Sequence, residues 1–242
     1  MKNPFVSQVV LYAFNFAPRG WSLCDGTLMT PSQNYALFAI LGTRFGGQDV
    51  SSFALPDYRG AAPAGLTYCI ALEGAFPARD SMQGDPVVGE ISLLPTNFVL
   101  AENVECNGQL LELWTYGPYQ RLFSVVGTRF GGDGTKNFGV PNLKALAPQG
   151  SAYYIATKGP MPKLVEPFIG EVRIFPGMDV PNDWLPCSGQ TLPIRGHQEL
   201  YSLIGDRFGG DQTQFTLPNL KQLAPAGTQF CIASAGAYPQ RA

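Results

Sequence analysis

The string Gly-Thr-Arg-Phe-Gly-Gly at 42–47 returns at 127–132, and a third time as Gly-Asp-Arg-Phe-Gly-Gly at 205–210. Recurrence at nearly regular steps marks a chain written as one supersecondary unit several times over. With Pro4-Phe5, Pro86-Val87 and Pro167-Phe168 as the repeat edges, the steps are 82 and 81 residues. The chain divides accordingly into units at 1–83, 84–163 and 164–242. A unit of this size buries only a modest core alone, so neighbouring units are expected to share buried surface.

Each unit follows one script. It opens on an apolar strand: Val9-Val10-Leu11-Tyr12, Ile91-Ser92-Leu93-Leu94 or Val172-Arg173-Ile174-Phe175. Around Arg173 the polar and apolar residues alternate, as in a half-buried strand. Val10 takes the place of Arg173 in the first unit. Both faces of that strand are then apolar, which predicts cover on both sides by a neighbouring repeat or a second subunit. A turn and a Cys-x-Gly follow (Cys24, Cys106, Cys187), with Gly supplying the positive φ. Next comes a short helix, its apolar stripe at Leu37-Phe38-x-Ile40-Leu41, Leu122-Phe123-x-Val125-Val126 and Leu200-Tyr201-x-Leu203-Ile204. Gly42, Gly127 and Gly205 stop these helices. The Arg-Phe-Gly-Gly turn leads to an extended segment ended by Pro56, Pro141 or Pro218, then Ala-Pro-x-Gly and a last strand at Tyr68–Ala71, Tyr153–Ala156 and Phe230–Ala233. Linkers 79–86 and 159–167 are too short to let the units drift apart.

Composition narrows the function. Charged residues are 14% of the chain, against about 25% in ordinary soluble domains, and a surface so poor in charge is expected to be covered by partners. The net charge is −2 with Lys and Arg scattered singly, so no basic stripe exists to hold nucleic acid. No apolar run is long enough to cross a bilayer. Met1–Phe5 lacks a secretion-signal core; a role outside the cell would need lysis or a dedicated export route.

Catalytic and metal chemistry find no foothold. The Gly pair follows a helix and lacks the Lys-Ser/Thr of a phosphate loop. Asp49, Asp133 and Asp211 sit in Gly-rich turns without the alternating oxygen ligands of a calcium loop, and read as turn caps. His197 is the single histidine, which excludes a multi-histidine metal site. No catalytic residue, cofactor or metal is expected. Cys24–Cys69 and Cys187–Cys231 are possible disulfides by repeat position, leaving Cys106 alone, but buried free thiols fit a core better. Arg44, Arg129 and Arg207 recur in every unit; a ring of them would suit an anion or acidic sugar, while bonds to local carbonyls and an aromatic stack are the plainer expectation. Trp114 and Tyr116, in an insertion peculiar to the second unit, are candidates for contact with a partner or ligand.

The stretch Asn15-Phe16-Ala17-Pro18-Arg19-Gly20-Trp21-Ser22-Leu23-Cys24-Asp25-Gly26, with Leu37-Phe38, Gly42-Thr43, Phe45-Gly46-Gly47 and Phe53–Gly60, closely resembles the phage tail collar domain. The ending Tyr68–Arg79 resembles that of short bacterial collar proteins, some named microcystin-dependent. The likeness runs through the chain three times. The second copy departs most, with Asn103 in place of Trp21 and Trp184, and Lys144 in place of Arg59. The family's best-known members are fibre components that act as trimers. The resemblance therefore implies an α+β chain of three strand-rich collar-like units, each with one short helix, in a pseudo-three-fold arrangement, or else as three beads in series along a filament. It implies a structural subunit of a tail-derived fibre or extracellular filament, assembling head to tail with itself or sister collar proteins. Strand addition through Val9, Val10, Leu11, Tyr12 and Phe230, Cys231, Ile232 would hold the junction. The alternative is an adhesin that recognises surface glycans or a host protein.

Overall fold

A computed structural model describes residues 4–48, 51–76, 88–96, 102–158, 167–176 and 180–240. Asp49, the unit boundaries near 83 and 163, and most of both linkers lie outside the described residues. The first repeat holds β1 (Val9–Tyr12), β2 (Trp21–Leu23), β3 (Leu28–Met29), α1 (Tyr35–Leu41), β4 (Gly47–Gln48), β5 (Ser52–Ala54) and β6 (Thr67–Ala71). The second holds β7 (Ile91–Leu94), β8 (Asn103–Glu105), β9 (Leu110–Glu112), α2 (Gln120–Val126), β10 (Asn137–Gly139), a 3₁₀ turn at Lys144–Leu146, and β11 (Ala152–Ala156). The third holds β12 (Glu171–Pro176), β13 (Trp184–Pro186), β14 (Thr191–Pro193), α3 (Gln198–Ile204), β15 (Gln214–Thr216) and β16 (Thr228–Ala233). The chain is strand-rich with three short helices among the described residues, as the repeat pattern predicts.

Each repeat contributes three antiparallel strands with its last strand in the middle: β2–β6–β1, β8–β11–β7 and β13–β16–β12. The opening strands would be free edges in an isolated unit, and a free edge invites pairing. Here they meet one another. β1 pairs with β12 at Leu11↔Val172 and Tyr12↔Glu171, and touches β7 at Val9↔Leu93. One nine-stranded sheet results, its three parts gathered around a central axis on the opening strands. The pseudo-three-fold arrangement is thus a direct consequence of three edges closing on each other.

The core lies under this sheet. Leu37, Ile40 and Leu41 of α1, Leu122 and Val126 of α2, and Leu200 and Ile204 of α3 are buried in a single cluster with Val9, Leu11, Leu93, Val172 and Ile174. Each helix ends as its Gly predicts: the N–H of Gly42, Gly127 and Gly205 donates to the carbonyl of Phe38, Phe123 and Tyr201, at φ between 55° and 58°.

Two expectations change. The segment before each Cys-x-Gly, read as a turn, is a three-residue strand (β2, β8 or β13) that buries Trp21, Val104 or Trp184. The proposed junction strands are interior. Val9, Val10, Leu11 and Tyr12 are buried, all four pair with β6 and all but Val10 also pair with β7 or β12, and Phe230, Cys231 and Ile232 lie between β12 and β13. The all-apolar first strand is covered by sister repeats, which leaves it no edge to offer another subunit.

Candidate functional site

The Arg-Phe pair of each helix-stop turn reaches out of its own repeat. The Arg44 guanidinium of repeat one donates through Nη1 to the carbonyls of Pro95 (3.1 Å) and Gly150 (3.5 Å) in repeat two. Arg207 of repeat three donates through Nη1 to Ala13 and Gly65 of repeat one, both at 3.2 Å. Arg129 of repeat two runs beside Gly227 of repeat three, its Cγ 3.3 Å from where a Cβ on Gly227 would stand. Ala13, Pro95 and Pro176 are equivalent positions, as are Gly65, Gly150 and Gly227. The contacts run one to two, two to three, three to one: a cyclic clasp.

The neighbouring Phe explains the Gly of Ala-Pro-x-Gly. A Cβ on Gly65 would lie 2.5 Å from Phe208, on Gly150 2.8 Å from Phe45, and on Gly227 2.8 Å from Phe130, in each case the ring of the preceding repeat. These glycines also hold φ near +80°, where a side chain is strained. The Gly pair shapes the turn that presents the clasp: a Cβ on Gly47, Gly132 or Gly210 would strike the backbone of the returning strand at 2.4–2.5 Å. The plainer expectation was local carbonyls; Arg44 and Arg207 bond carbonyls of the next repeat instead.

At the axis the repeats have diverged. Gln8, Glu90 and Glu171 are equivalent, as are Val10, Ser92 and Arg173. Arg173 donates through Nε to Glu171 and through Nη1 to Glu90 of repeat two at 3.3 Å, with its guanidinium 5.6 Å from the Trp184 ring centre. Burial works against its charge, but Glu171 and Glu90 outweigh that and raise its pKa above the ordinary arginine value. The Glu171 carboxylate also accepts from the Phe168 N–H at 3.1 Å. A largely buried ion pair of this kind adds little net stability, yet leaving one member alone is costly; with Val10 and Ser92 in place of Arg173 in the other repeats, only repeats two and three make it. A cavity of about 30 Å³ between β1, β7 and β12, lined in part by Tyr68, Tyr153 and Phe230, has room for one water molecule and no substrate.

Trp114 and Tyr116 stand on the surface, 61% and 99% exposed, and Leu110 of β9 is exposed as well. Their turn is pinned by Gln120, whose Nε2 donates to the Trp114 carbonyl at 2.5 Å. Asp133 and Asp211 cap turns as read. Asp133 accepts from the N–H groups of Thr135, Lys136 and Asn137, and those bonds hold its carboxyl well below the usual range. His197 precedes α3 with its ring edge-on to Phe215. No group of three metal-ligating side chains occurs among the described residues.

All five cysteines are free and buried. The geometry rules out the two possible disulfides. Cys69 pairs with Leu23, so Cys24, one residue on, points to the opposite face of the sheet. Cys24 and Cys187 belong to the main core, Cys69 and Cys231 to outer clusters.

A family model described as Phage Tail Collar Domain matches residues 7–63, 89–148 and 170–225, well over half of the chain. The three matches fall on the three repeats just described. No curated protein and no solved structure matches.

Proposed function

The chain belongs to the phage tail collar domain family, whose domain it carries three times, and we propose that it is a pre-assembled structural block of a tail-derived fibre or filament. The family is one of structural, tail-fibre-type proteins rather than a known enzyme family, and it implies a phage tail or virion-associated setting. The observation that carries the reading is the cyclic clasp: Arg44 on repeat two, Arg129 on repeat three, Arg207 on repeat one. One chain thereby makes the closed three-fold contact that separate collar subunits would have to make by association.

With the inner edges closed, growth falls to the two faces of the ring. These faces are unlike, so a head-to-tail contact between them does not close and generates a filament. The partner is a second copy or a sister collar chain, and the low charge of the surface supports such stacking. Electron microscopy of the purified protein, across a concentration series, is expected to show filaments one ring wide. Dispersed single rings at every concentration would overturn the reading.

A second reading, adhesion, rests on Trp114 and Tyr116, exposed aromatics in an insertion that only repeat two carries. Exposed, turn-mounted aromatics suit the apolar faces of sugars or a protein surface. If they serve adhesion, Trp114→Ala with Tyr116→Ala abolishes binding on a glycan array and leaves filament formation unchanged. If they serve stacking, filaments are lost.

A further inference from the structure

The ring has three junctions, and the chain itself crosses only two. Repeat three meets repeat one without a peptide link between them, and this junction is built differently. Position 13 is Ala where the other repeats carry Pro95 and Pro176. Ala13 therefore keeps an N–H, which donates to the Gly170 carbonyl of repeat three at 2.9 Å and adds a rung to the β1–β12 ladder. Its carbonyl accepts from Arg207 on the same neighbour. Proline cannot supply that rung.

Phe14 seals the joint. It is fully buried, lies 3.1 Å from where a Cβ on Gly170 would stand, and stacks on Tyr12 at 4.7 Å and Phe16 at 4.5 Å. Tyr12 in turn meets Phe168 of repeat three edge-on at 6.3 Å. The equivalent of Phe14 in repeat two is Thr96, which bonds Tyr154 of its own repeat. Beyond the aromatics, the Arg19 N–H donates to the Gln240 carbonyl near the end of repeat three at 2.9 Å. Among the described residues the outer apolar cluster here has seven buried members, against four where repeat one meets repeat two.

We propose that residues 13–16 form a strap that holds the one untethered junction of the ring shut, doing by a backbone rung and an aromatic plug what the chain does at the other two. The Cys69 thiol reports on it: fully buried, it donates to the Phe16 carbonyl at 3.8 Å, directly beneath the strap. Cys106, buried in repeat two, is the internal reference.

The test is thiol labelling of the native full-length chain, resolved by site with mass spectrometry. The variant Ala13→Pro/Phe14→Thr installs the residues that repeat two already carries. Expected is labelling of Cys69 faster by about tenfold, a change of one decade in the opening equilibrium, with Cys106 unchanged. Hydrogen exchange at the β12 amides of Glu171–Ile174 should accelerate alongside. An unchanged Cys69, or an equal rise at both thiols, overturns the proposal. So does faster Cys69 labelling with β12 exchange at the parent rate, since the segment would then be a lid over one thiol. Should the double variant fail to fold, Ala13→Pro alone is read by the same criteria.

Discussion

At the scale of single residues, the three copies serve as controls for one another. Position 7 shows this best. Ser7, Gly89 and Gly170 are equivalent, and all hold φ between 73° and 82°. Only Ser7 carries a side chain there, and its buried hydroxyl meets no partner among the described residues. A left-handed non-glycine and an unsatisfied buried hydroxyl each cost on the order of 1 kcal/mol, whereas glycine loosens the unfolded chain by somewhat less. Ser7→Gly should therefore stabilise by about 1 kcal/mol, read as a higher urea midpoint; a lower midpoint would count against the strain. The thiols give a second residue-scale prediction. Burial pushes Cys69 and Cys231 up to about 12 and raises Cys24, Cys106 and Cys187 as well. Unfolded thiols ionise near about 8.5, so above that pH the unfolded chain binds fewer protons than the native one. Stability is full below about pH 8.5 and falls as the pH climbs towards the native thiol values. Urea midpoints at pH 7.5, 8.5 and 9.5 should decline, with a shallower decline in a Cys69→Ala/Cys231→Ala variant; a flat profile in the parent would contradict it.

At the scale of elements, the clasp is the contact to measure. Gly150→Ala places a methyl against Phe45 at positive φ, which should cost about 2 kcal/mol or more. In a Phe45→Leu background the same change should cost about 1 kcal/mol less, because the obstructing ring edge is gone. Equal costs in both backgrounds would show that Phe45 is not the obstacle. Much of the element pattern was legible in the sequence. The stripes Leu37–Leu41, Leu122–Val126 and Leu200–Ile204, the stopping glycines and the final strands follow from local periodicity and backbone freedom. Trp21–Leu23 and its counterparts were not, since three residues are too few to display alternation beside a Gly turn. The clasp was half visible. Arg44-Phe45 and Ala62-Pro63-Ala64-Gly65 recur together, but no local rule tells an arginine in a turn that its acceptors lie in the next repeat. Val9–Tyr12 misled for a physical reason: a strand apolar on both faces asks for cover, and sister repeats provide it as well as another chain would.

At the scale of the whole molecule, the account is of a trimer written as one chain, with its order fixed by what differs between copies. Arg173, seated between Glu171 and Glu90, has Val10 and Ser92 as counterparts. A homotrimer of repeat three would place three Arg173–Glu171 pairs around the axis, and the cost of desolvating six charges would oppose closure. Tandem fusion with divergence removes that conflict, since one charge suffices to mark one junction. The fusion also fixes the stoichiometry, so closing the ring needs no encounter between chains. The most direct measurement of this claim is the radius of gyration of the single chain, from X-ray scattering on the monomer fraction at low concentration. A closed ring of 242 residues predicts about 18 Å. A value of about 25 Å or more, as three separate beads in a row would give, would contradict it.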